Sequence, residues 1–277
     1  MACVQELLRS AADLPSESPR RDAEILLCYA LGKSRSWLYA WPEYVLQPDE
    51  SARYESLLQQ RRLGEPVAYL TGEREFWSLT LKVDQRTLIP RPETETLVAW
   101  ALELPVPDHA AVLDLGTGSG AIALALASER SGWQVLAIDR SADALAVARA
   151  NATGAGLARV EFLQSDWFAA LLGQRYHLIL ANPPYVAQDD PHLGVGDVRF
   201  EPRAALVADD SGMADLALLI QGAPMHLAGG AWLLLEHGYQ QADAVRTLLR
   251  ETGFTQVATR CDLAGQERIT GGCFGAD

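Results

Sequence analysis

Cysteine and long apolar runs are scarce in this sequence. Its four cysteines, Cys3, Cys28, Cys261 and Cys273, show no paired spacing, which argues against a disulfide framework and a cysteine zinc site. No stretch approaches the roughly 18 consecutive apolar residues that a membrane span requires. Residues 1–6 lack the basic start and apolar core of a signal peptide. These absences predict a cytoplasmic protein without a metal and without a membrane partner.

The sequence also contains fewer basic than acidic residues. The 23 Lys and Arg residues face 36 Asp and Glu residues, which gives a net charge of −13, and most of the acidic excess lies in residues 91–277. Proteins that grip a nucleic-acid backbone normally present a basic face, because phosphate neutralisation dominates that affinity. The composition therefore predicts no direct DNA binding, although a local basic patch within an acidic total stays open.

Three segments follow one another along the chain. Residues 1–72 show helical spacing without a strand pattern, and they predict a small helical substrate-recognition domain. Residues 73–92 contain alternating large and polar side chains, which predict a linking β-hairpin. Residues 93–277 alternate helical and strand patterns with seven strands in all, and predict an α/β catalytic domain with a doubly wound parallel sheet.

A glycine-rich loop follows the first strand of the predicted sheet. The segment 112–121, VLDLGTGSGA, is a buried strand that runs into a turn and then an apolar helix. Such a loop lets a ligand approach the backbone closely, so the predicted cofactor-binding residues are Gly116, Thr117, Gly118, Ser119 and Gly120. Asp139 ends the next strand, where its carboxylate can accept hydrogen bonds from ribose hydroxyls. The loop alone fits both a dinucleotide and S-adenosylmethionine.

Two further features favour S-adenosylmethionine. Asp114 precedes the first glycine by two residues, where a carboxylate would suit a cationic amino-acid head group and would repel a pyrophosphate. Asp166 and Trp167 follow the third strand, and they offer a carboxylate for an adenine amino group and an aromatic wall for its ring. We therefore expect Asp166 and Trp167 to complete the cofactor site.

The tetrapeptide Asn182-Pro183-Pro184-Tyr185 follows the apolar run of the fourth strand. Two prolines fix the backbone and remove two donors, so nearby carbonyls are free to accept hydrogen bonds. An amide oxygen beside such carbonyls suits a planar NH2 group, over which the Tyr185 ring would pack. In doubly wound sheets the first and fourth strands commonly flank the ligand crevice. The tetrapeptide and the glycine loop are therefore expected to be neighbours.

Further motifs resemble one known family along nearly the whole chain. Residues 88–95 (LIPRPETE), 165–168 (SDWF) and 196–202 (GDVRFEP) resemble motifs of the bacterial peptide-chain release-factor glutamine methyltransferases. The resemblance implies a class I S-adenosylmethionine-dependent methyltransferase fold with an N-terminal helical domain and a hairpin. It also implies methyl transfer to the side-chain nitrogen of the glutamine in the Gly-Gly-Gln tripeptide of class 1 release factors, with S-adenosylhomocysteine as product.

Carried over to this sequence, the resemblance implies cofactor contacts at Gly116 to Gly120, Asp139, Trp167 and Asn182. Residues 182–185 would clamp the substrate, with Asn182, Pro183 and Tyr185 as catalytic residues and Pro184 as a further substrate contact. The expected mechanism is positioning, because Asn182 and the Pro183 carbonyl can accept the two N–H bonds of the substrate amide. We expect a monomer, and a gripping or lid function for the long connection 186–212.

Other functions stay open at this point. A sister enzyme that methylates a glutamine of a ribosomal protein would share the same site chemistry. An adenine-N6 methyltransferase acts on an amine of similar geometry, but the acidic charge disfavours it. A noncatalytic cofactor-binding scaffold and a nicotinamide oxidoreductase are more distant alternatives. His237 follows Glu236 at a strand end, and we interpret this pair as structural.

Overall fold

The computed structural model describes residues 2–11 and 13–275. The chain divides into two compact units. The first comprises the N-terminal residues as far as Glu73 together with Pro191–Phe200, and the second comprises Arg74–Asp190 and the chain from Glu201 onwards. In the described residues, no helix is long and apolar enough to cross a membrane.

The first unit is helical. Its helices are α1 (Val4–Ser10), α2 (Pro19–Leu31), α3 (Arg35–Ala40), α4 (Pro48–Arg62) and α5 (Val67–Thr71). Proline opens α2 and α4, where the missing N–H has no intrahelical partner to lose. Leu26, Leu27 and Tyr54 are fully buried in the core that these helices share.

Arg61 ties the segment Pro191–Phe200 into this unit. Its guanidinium is buried and lies 2.8 Å from a carboxylate oxygen of Asp22 and 2.8 Å from one of Asp197. It also donates to the carbonyls of Gly64 and Glu65. Because an arginine presents five donors in a fixed fork, burial of this cation requires several acceptors, and Asp197 supplies one of them.

A two-stranded hairpin begins at the last residue of the first unit's N-terminal segment and continues into the second unit. Strand β1 (Glu73–Phe76) pairs with β2 (Leu79–Lys82), and Trp77 in the turn has a φ of 56°. The Trp77 amide donates to Glu95 Oε1 at 2.8 Å, which compensates for part of the strain of a bulky residue in the left-handed region.

The second unit is built around a seven-stranded sheet. Its strands are β3 (Ala111–Leu115), β4 (Gln134–Asp139), β5 (Glu161–Gln164), β6 (Tyr176–Ala181), β9 (Leu227–Glu236), β10 (Phe254–Cys261) and β11 (Glu267–Phe274). They lie in the order β10-β11-β9-β6-β3-β4-β5, with β11 antiparallel to β9 and β10. Helix α6 (Glu95–Glu103) precedes the first of these strands, and the helices between them are α7 (Ala121–Glu129), α8 (Ala142–Gly154), α10 (Ala214–Gly222) and α11 (Ala242–Glu251). The predicted doubly wound sheet is confirmed.

Both faces of this sheet are buried. Val112 and Leu178 belong to one core cluster, whereas their chain neighbours Leu113 and Ile179 belong to another. Successive side chains of a strand point to opposite faces, so a sheet covered on both sides needs continuous apolar strands. Leu115 at the end of β3 pairs with Ala181 at the end of β6, which confirms that the first and fourth strands are neighbours.

The connection from β6 to α10 contains short ordered elements. A two-residue parallel pair joins β7 (Val186–Ala187) to β8 (Val207–Ala208), and 3-10 turns occupy Pro191–Gly194, Gly196–Phe200 and Arg203–Ala205. A single turn, α9 (Asp209–Gly212), follows. The predicted gripping or lid function of this connection stays a prediction.

Candidate active site

A cavity lies beyond the carboxyl ends of β3, β4 and β6, where ligands bind in doubly wound sheets. Of the predicted site residues, those that line it are Gly116, Gly118, Asp139, Asp166, Trp167, Asn182 and Pro184. Thr117, Ser119, Gly120, Pro183 and Tyr185 lie outside this lining. The strand order explains the grouping, because it brings residues 116 and 182 to adjacent strand ends.

Three left-handed glycines shape the loop after β3. Gly116, Gly118 and Gly120 have φ angles of 74°, 55° and 87°. A Cβ at Gly116 would lie 3.3 Å from the Trp167 ring, whereas a Cβ at Gly118 would meet no protein atom within 4 Å. Gly118 therefore leaves open space on the cavity side, where a ligand can approach the backbone closely.

Asp114 is buried beneath this loop. One of its carboxylate oxygens accepts hydrogen bonds from Thr117 Oγ1 at 2.6 Å and from the Ala123 amide at 3.2 Å. Burial raises its pKa to about 7, although both hydrogen bonds act in the opposite direction. The interpretation of Asp114 as a direct partner of a cationic head group is not supported, because its side chain is fully buried and does not line the cavity.

Asp139 lies at the end of β4, at the edge of the cavity. Its carboxylate accepts hydrogen bonds from the amides of Gly118 and Ser141, both at 2.9 Å. These contacts hold the carboxylate at the cavity wall. Because an ionised carboxylate has about four acceptor positions, two remain for hydroxyl groups of a ligand.

Trp167 forms one wall of the cavity. It has a φ of 46°, and its backbone carbonyl accepts a hydrogen bond from Ser165 Oγ at 2.7 Å. Its ring nitrogen donates to Asp215 Oδ1 at 3.1 Å, and the ring lies against Gly116. These contacts fix the ring in the cavity wall, to which the exposed Asp166 also contributes.

Asn182 is the polar group of the tetrapeptide that lines the cavity. Its side-chain nitrogen donates to Thr94 Oγ1 at 3.2 Å. This bond engages the donor end of the carboxamide and leaves its oxygen as the acceptor for a ligand. Pro184 also lines the cavity, whereas Pro183 is buried.

Tyr185 faces the protein interior. Its ring packs against a core cluster, its hydroxyl donates to Glu236 Oε1 at 3.3 Å, and its carbonyl accepts from Gln241 Nε2 at 3.2 Å. Burial, with the nearby Glu236 charge, raises the pKa of the phenol. The buried carboxylate draws the hydroxyl inwards. The expected packing of this ring over a substrate stays a prediction.

Sequence reasoning missed several residues of the cavity wall. They are Arg86, Thr87, Arg140, Ser141, Ala144, Ala204 and Ala205. The position of Ser141 carried a signal: it follows the strand-end aspartate, and its side chain caps α8 by accepting from the Ala144 amide at 3.1 Å. Ala204 had no such signal, because its side chain carries no polar group and its carbonyl accepts a hydrogen bond from Arg140, 64 residues earlier in the chain.

Glu236 and His237 at the end of β9 are both buried. His237 Nε2 lies 2.7 Å from Thr270 Oγ1, its Nδ1 lies 2.8 Å from the Gly238 carbonyl, and burial lowers its pKa. Glu236 lies beneath the tetrapeptide through its contact with Tyr185. No group of His, Cys, Asp or Glu residues in 2–11 and 13–275 has an arrangement able to hold a metal ion.

Known protein families match two parts of the chain. Residues 3–72 match the model described as the PrmC N-terminal domain, and residues 94–208 match the methyltransferase small domain. A methyltransferase from Pyrococcus furiosus has a similar solved structure, with a TM-score of 0.55 and 14% identity over 82% of this chain and all of that chain. This likeness shows the fold.

Curated relatives match nearly the full length. The release factor glutamine methyltransferase of Salmonella typhimurium is 55% identical over 94% of this chain and 94% of its own length. That of Shewanella oneidensis is 50% identical over 98% of this chain and 96% of its own length.

Proposed function

The chain belongs to the release factor glutamine methyltransferase family, and we propose that it transfers a methyl group from S-adenosylmethionine to a release-factor glutamine. The acceptor is the side-chain amide nitrogen of the Gly-Gly-Gln tripeptide in class 1 release factors. The observation that carries this proposal is the Asn182 carboxamide, which is anchored by its nitrogen and lines the cavity beside the glycine loop.

The cavity suits S-adenosylmethionine. Gly116 and Gly118 would admit its amino-acid part, Asp139 would accept the ribose hydroxyls, and Trp167 would pack against the adenine. The open space over Gly118 and the carboxylate fixed at residue 139 support this assignment. The bound cofactor supplies an electrophilic methyl group on a sulfonium, and S-adenosylhomocysteine is its product.

Asn182 orients the substrate amide. An amide nitrogen is a weak nucleophile because its lone pair is delocalised, so its direction and distance decide the rate. The Asn182 oxygen and the Pro183 carbonyl would accept its two N–H bonds and hold the nitrogen towards the cavity. The proton released from the methylated nitrogen passes to water. Positioning by residues 182 and 183 is therefore the main contribution of the chain to the reaction.

The decisive experiment is methylation of a purified class 1 release factor with S-adenosylmethionine, followed by fragment mass spectrometry of the Gly-Gly-Gln peptide. We expect one methyl group on that glutamine and none on a factor with glutamate in its place. An unmodified peptide from a protein that binds the cofactor would contradict the proposed substrate. Glutamines of ribosomal proteins would then be the next substrates to test.

Removal of the Trp167 ring should weaken cofactor binding. We expect Trp167→Ala to raise the dissociation constant for S-adenosylmethionine by about tenfold, because the adenine would lose an aromatic wall. Isothermal titration calorimetry measures this constant directly. Trp133→Phe is the control, because Trp133 is buried in the core away from the cavity lining. Unchanged affinity in Trp167→Ala would exclude the adenine contact.

The first unit would recognise the body of the release factor. Three of its aromatic side chains, Tyr29, Tyr39 and Trp41, are each more than half exposed. Exposed aromatic residues are typical of protein-binding surfaces, since their burial contributes more than that of other residues. We keep the predicted boundary of this domain at residue 72 and its substrate-recognition function as part of the proposal.

Substitution of these aromatic residues should lower the methylation rate of the full-length release factor and leave that of a short peptide unchanged. For Trp41→Ala combined with Tyr39→Ala we expect kcat/KM for the full-length factor to fall roughly tenfold or more. Methylation of a short Gly-Gly-Gln peptide should stay unchanged, because the peptide lacks the body of the factor that would contact these aromatic side chains. Leu263→Ala, at a fully exposed leucine of the second unit, is the matched control. Equal loss for protein and peptide would exclude a docking function.

The proposed substrate also bears on location and partners. Release factors act in translation, so we retain the cytoplasm as the expected location. A monomeric enzyme without direct DNA binding stays our prediction. Gel filtration, and DNA-binding titrations at two salt concentrations, would test these points.

A further inference from the structure

We propose that Glu236 is a positioning residue that acts through Thr94 to hold the Asn182 carboxamide with its oxygen towards the substrate. The inference rests on the proposed function and assigns a specific task to a buried carboxylate outside the cavity lining. Three residues far apart in sequence form the connection: Thr94 precedes α6, Asn182 follows β6, and Glu236 ends β9.

The first link joins Asn182 to Thr94. The Asn182 nitrogen donates to Thr94 Oγ1 at 3.2 Å, so the hydroxyl is an acceptor in this bond. A hydroxyl that accepts one hydrogen bond still has its own hydrogen to donate. Thr94 is buried, so this hydrogen needs an acceptor within the protein.

The second link joins Thr94 to Glu236. Thr94 lowers the pKa of the Glu236 carboxyl, and we assign the hydrogen of the buried Thr94 hydroxyl to this buried carboxylate. Tyr185 donates to Glu236 Oε1 at 3.3 Å, while Oε2 is buried without a close partner among the residues described. The ionised carboxylate can only accept, and it is short of donors, so it draws the Thr94 hydrogen towards itself. Both polar side chains of the tetrapeptide are thereby tied to one anion.

The direction of this chain of bonds decides which end of the Asn182 carboxamide meets the substrate. While Glu236 is ionised, Thr94 donates to it and must accept from the Asn182 nitrogen. If residue 236 can itself donate, Thr94 can accept from it and donate to the Asn182 oxygen instead. The carboxamide would then turn over and present its NH2 group to the substrate NH2 group. Two donors facing each other cannot form the bond that orients the nucleophile.

Protonation of Glu236, like its replacement by glutamine, gives residue 236 a donor and allows the Asn182 carboxamide to turn over. Burial raises the pKa of Glu236 to about 7; Thr94, Arg268 and Tyr185 lower it, and the Glu93 charge raises it. The wild-type kcat should therefore increase with pH through about 7 as this carboxyl loses its proton. In Glu236→Gln that titration should be lost.

The test compares Glu236→Gln, Thr94→Val and Thr94→Ser by steady-state kinetics on the release factor. We expect kcat to fall tenfold or more in Glu236→Gln and Thr94→Val, and less than threefold in Thr94→Ser, which keeps the hydroxyl. The Gln/Val double variant should lose little more than either single variant, because both act on one chain of bonds. The dissociation constant for S-adenosylmethionine should stay within threefold of the parent value.

A second readout does not depend on turnover. Titration of carboxyl-labelled glutamate by NMR should show one Glu side chain with a pKa near neutral that is absent in Glu236→Gln and shifted upwards in Thr94→Val. A kcat in Glu236→Gln within twofold of the parent, with an unchanged pH profile, would overturn the proposal. Loss of the proposed function itself looks different, since the wild-type protein would then leave the glutamine unmethylated at every pH.

Discussion

Asn182→Ala is expected to lower kcat by about 10²-fold or more while cofactor affinity changes little. The substitution removes the carboxamide oxygen that would accept an N–H bond of the substrate amide. The lost contact strengthens as the nitrogen attacks, because positive charge develops on it in the transition state. For that reason the loss should occur in kcat rather than in KM.

Single-turnover kinetics with saturating S-adenosylmethionine and release factor would measure this effect. Asn151→Ala offers a comparison for stability, because the Asn151 carboxamide is buried and its nitrogen donates to the carbonyls of Lys82 and Ser119, neither of which lines the cavity. It should lower stability and leave kcat of the folded protein within a few-fold of the parent. A near-normal single-turnover rate in Asn182→Ala would rule out positioning by this carboxamide.

The second large effect concerns stability. As the pH rises from about 5 to about 8, the free energy of unfolding of Glu236→Gln is expected to increase by about 2 to 3 kcal/mol relative to that of the parent. Burial raises the pKa of Glu236 from its usual 4.5 to about 7. The folded state therefore holds this proton more tightly than the unfolded state. Stability from the protonated carboxyl is present at low pH and is lost as the pH rises from about 4.5 to about 7.

Urea unfolding of both proteins at a series of pH values would measure the difference. Asp114 and His237 also titrate, with a pKa raised to about 7 and a lowered pKa respectively, but both are present in parent and variant, so they cancel. Asp262→Asn is the control: burial raises its pKa, but hydrogen bonds from Gln266 and Arg268 outweigh burial and the net pKa is lowered. Its difference from the parent should stay constant above about pH 5. A constant difference for Glu236→Gln would show that this carboxyl titrates normally.

Together these two results would show that the active site keeps a charged group that lowers the free energy of unfolding. An ionised carboxylate buried beneath the tetrapeptide destabilises the folded chain, yet the proposed positioning of Asn182 requires that charge. A glutamine at this position should yield a more stable and less active protein at neutral pH. Such opposed changes are expected where an active site stores unfavourable electrostatics.

Much of the fold could be predicted from local patterns. The strand Ala111–Leu115 and the strand Tyr176–Ala181 are continuous apolar runs, which is what a sheet covered on both faces demands. The bounds of the short helices Arg35–Ala40 and Val67–Thr71 could not be predicted, because six or five residues carry too little periodicity to distinguish a helix from a loop.

The candidate site was predictable only where its residues follow strands directly. Gly116, Asp139 and Asn182 each come just after or at the end of a strand, so the topology gathers them at one edge. The inward orientation of Tyr185 could not be predicted, because it depends on Glu236, 51 residues further along the chain. The contact of Thr94 with the site could not be predicted for the same reason, because its hydrogen bond to Asn182 spans 88 residues of the chain.

The buried ion pairs of Arg61 have a consequence for synthesis. Asp197 lies 136 residues after Arg61 in the chain, so a ribosome completes the helices of the first unit long before it makes this partner. Until then the guanidinium has Asp22 and carbonyl oxygens as its partners, and its Nη1 group lacks the Asp197 carboxylate. Final consolidation of the N-terminal helices must therefore wait until most of the second unit has been translated.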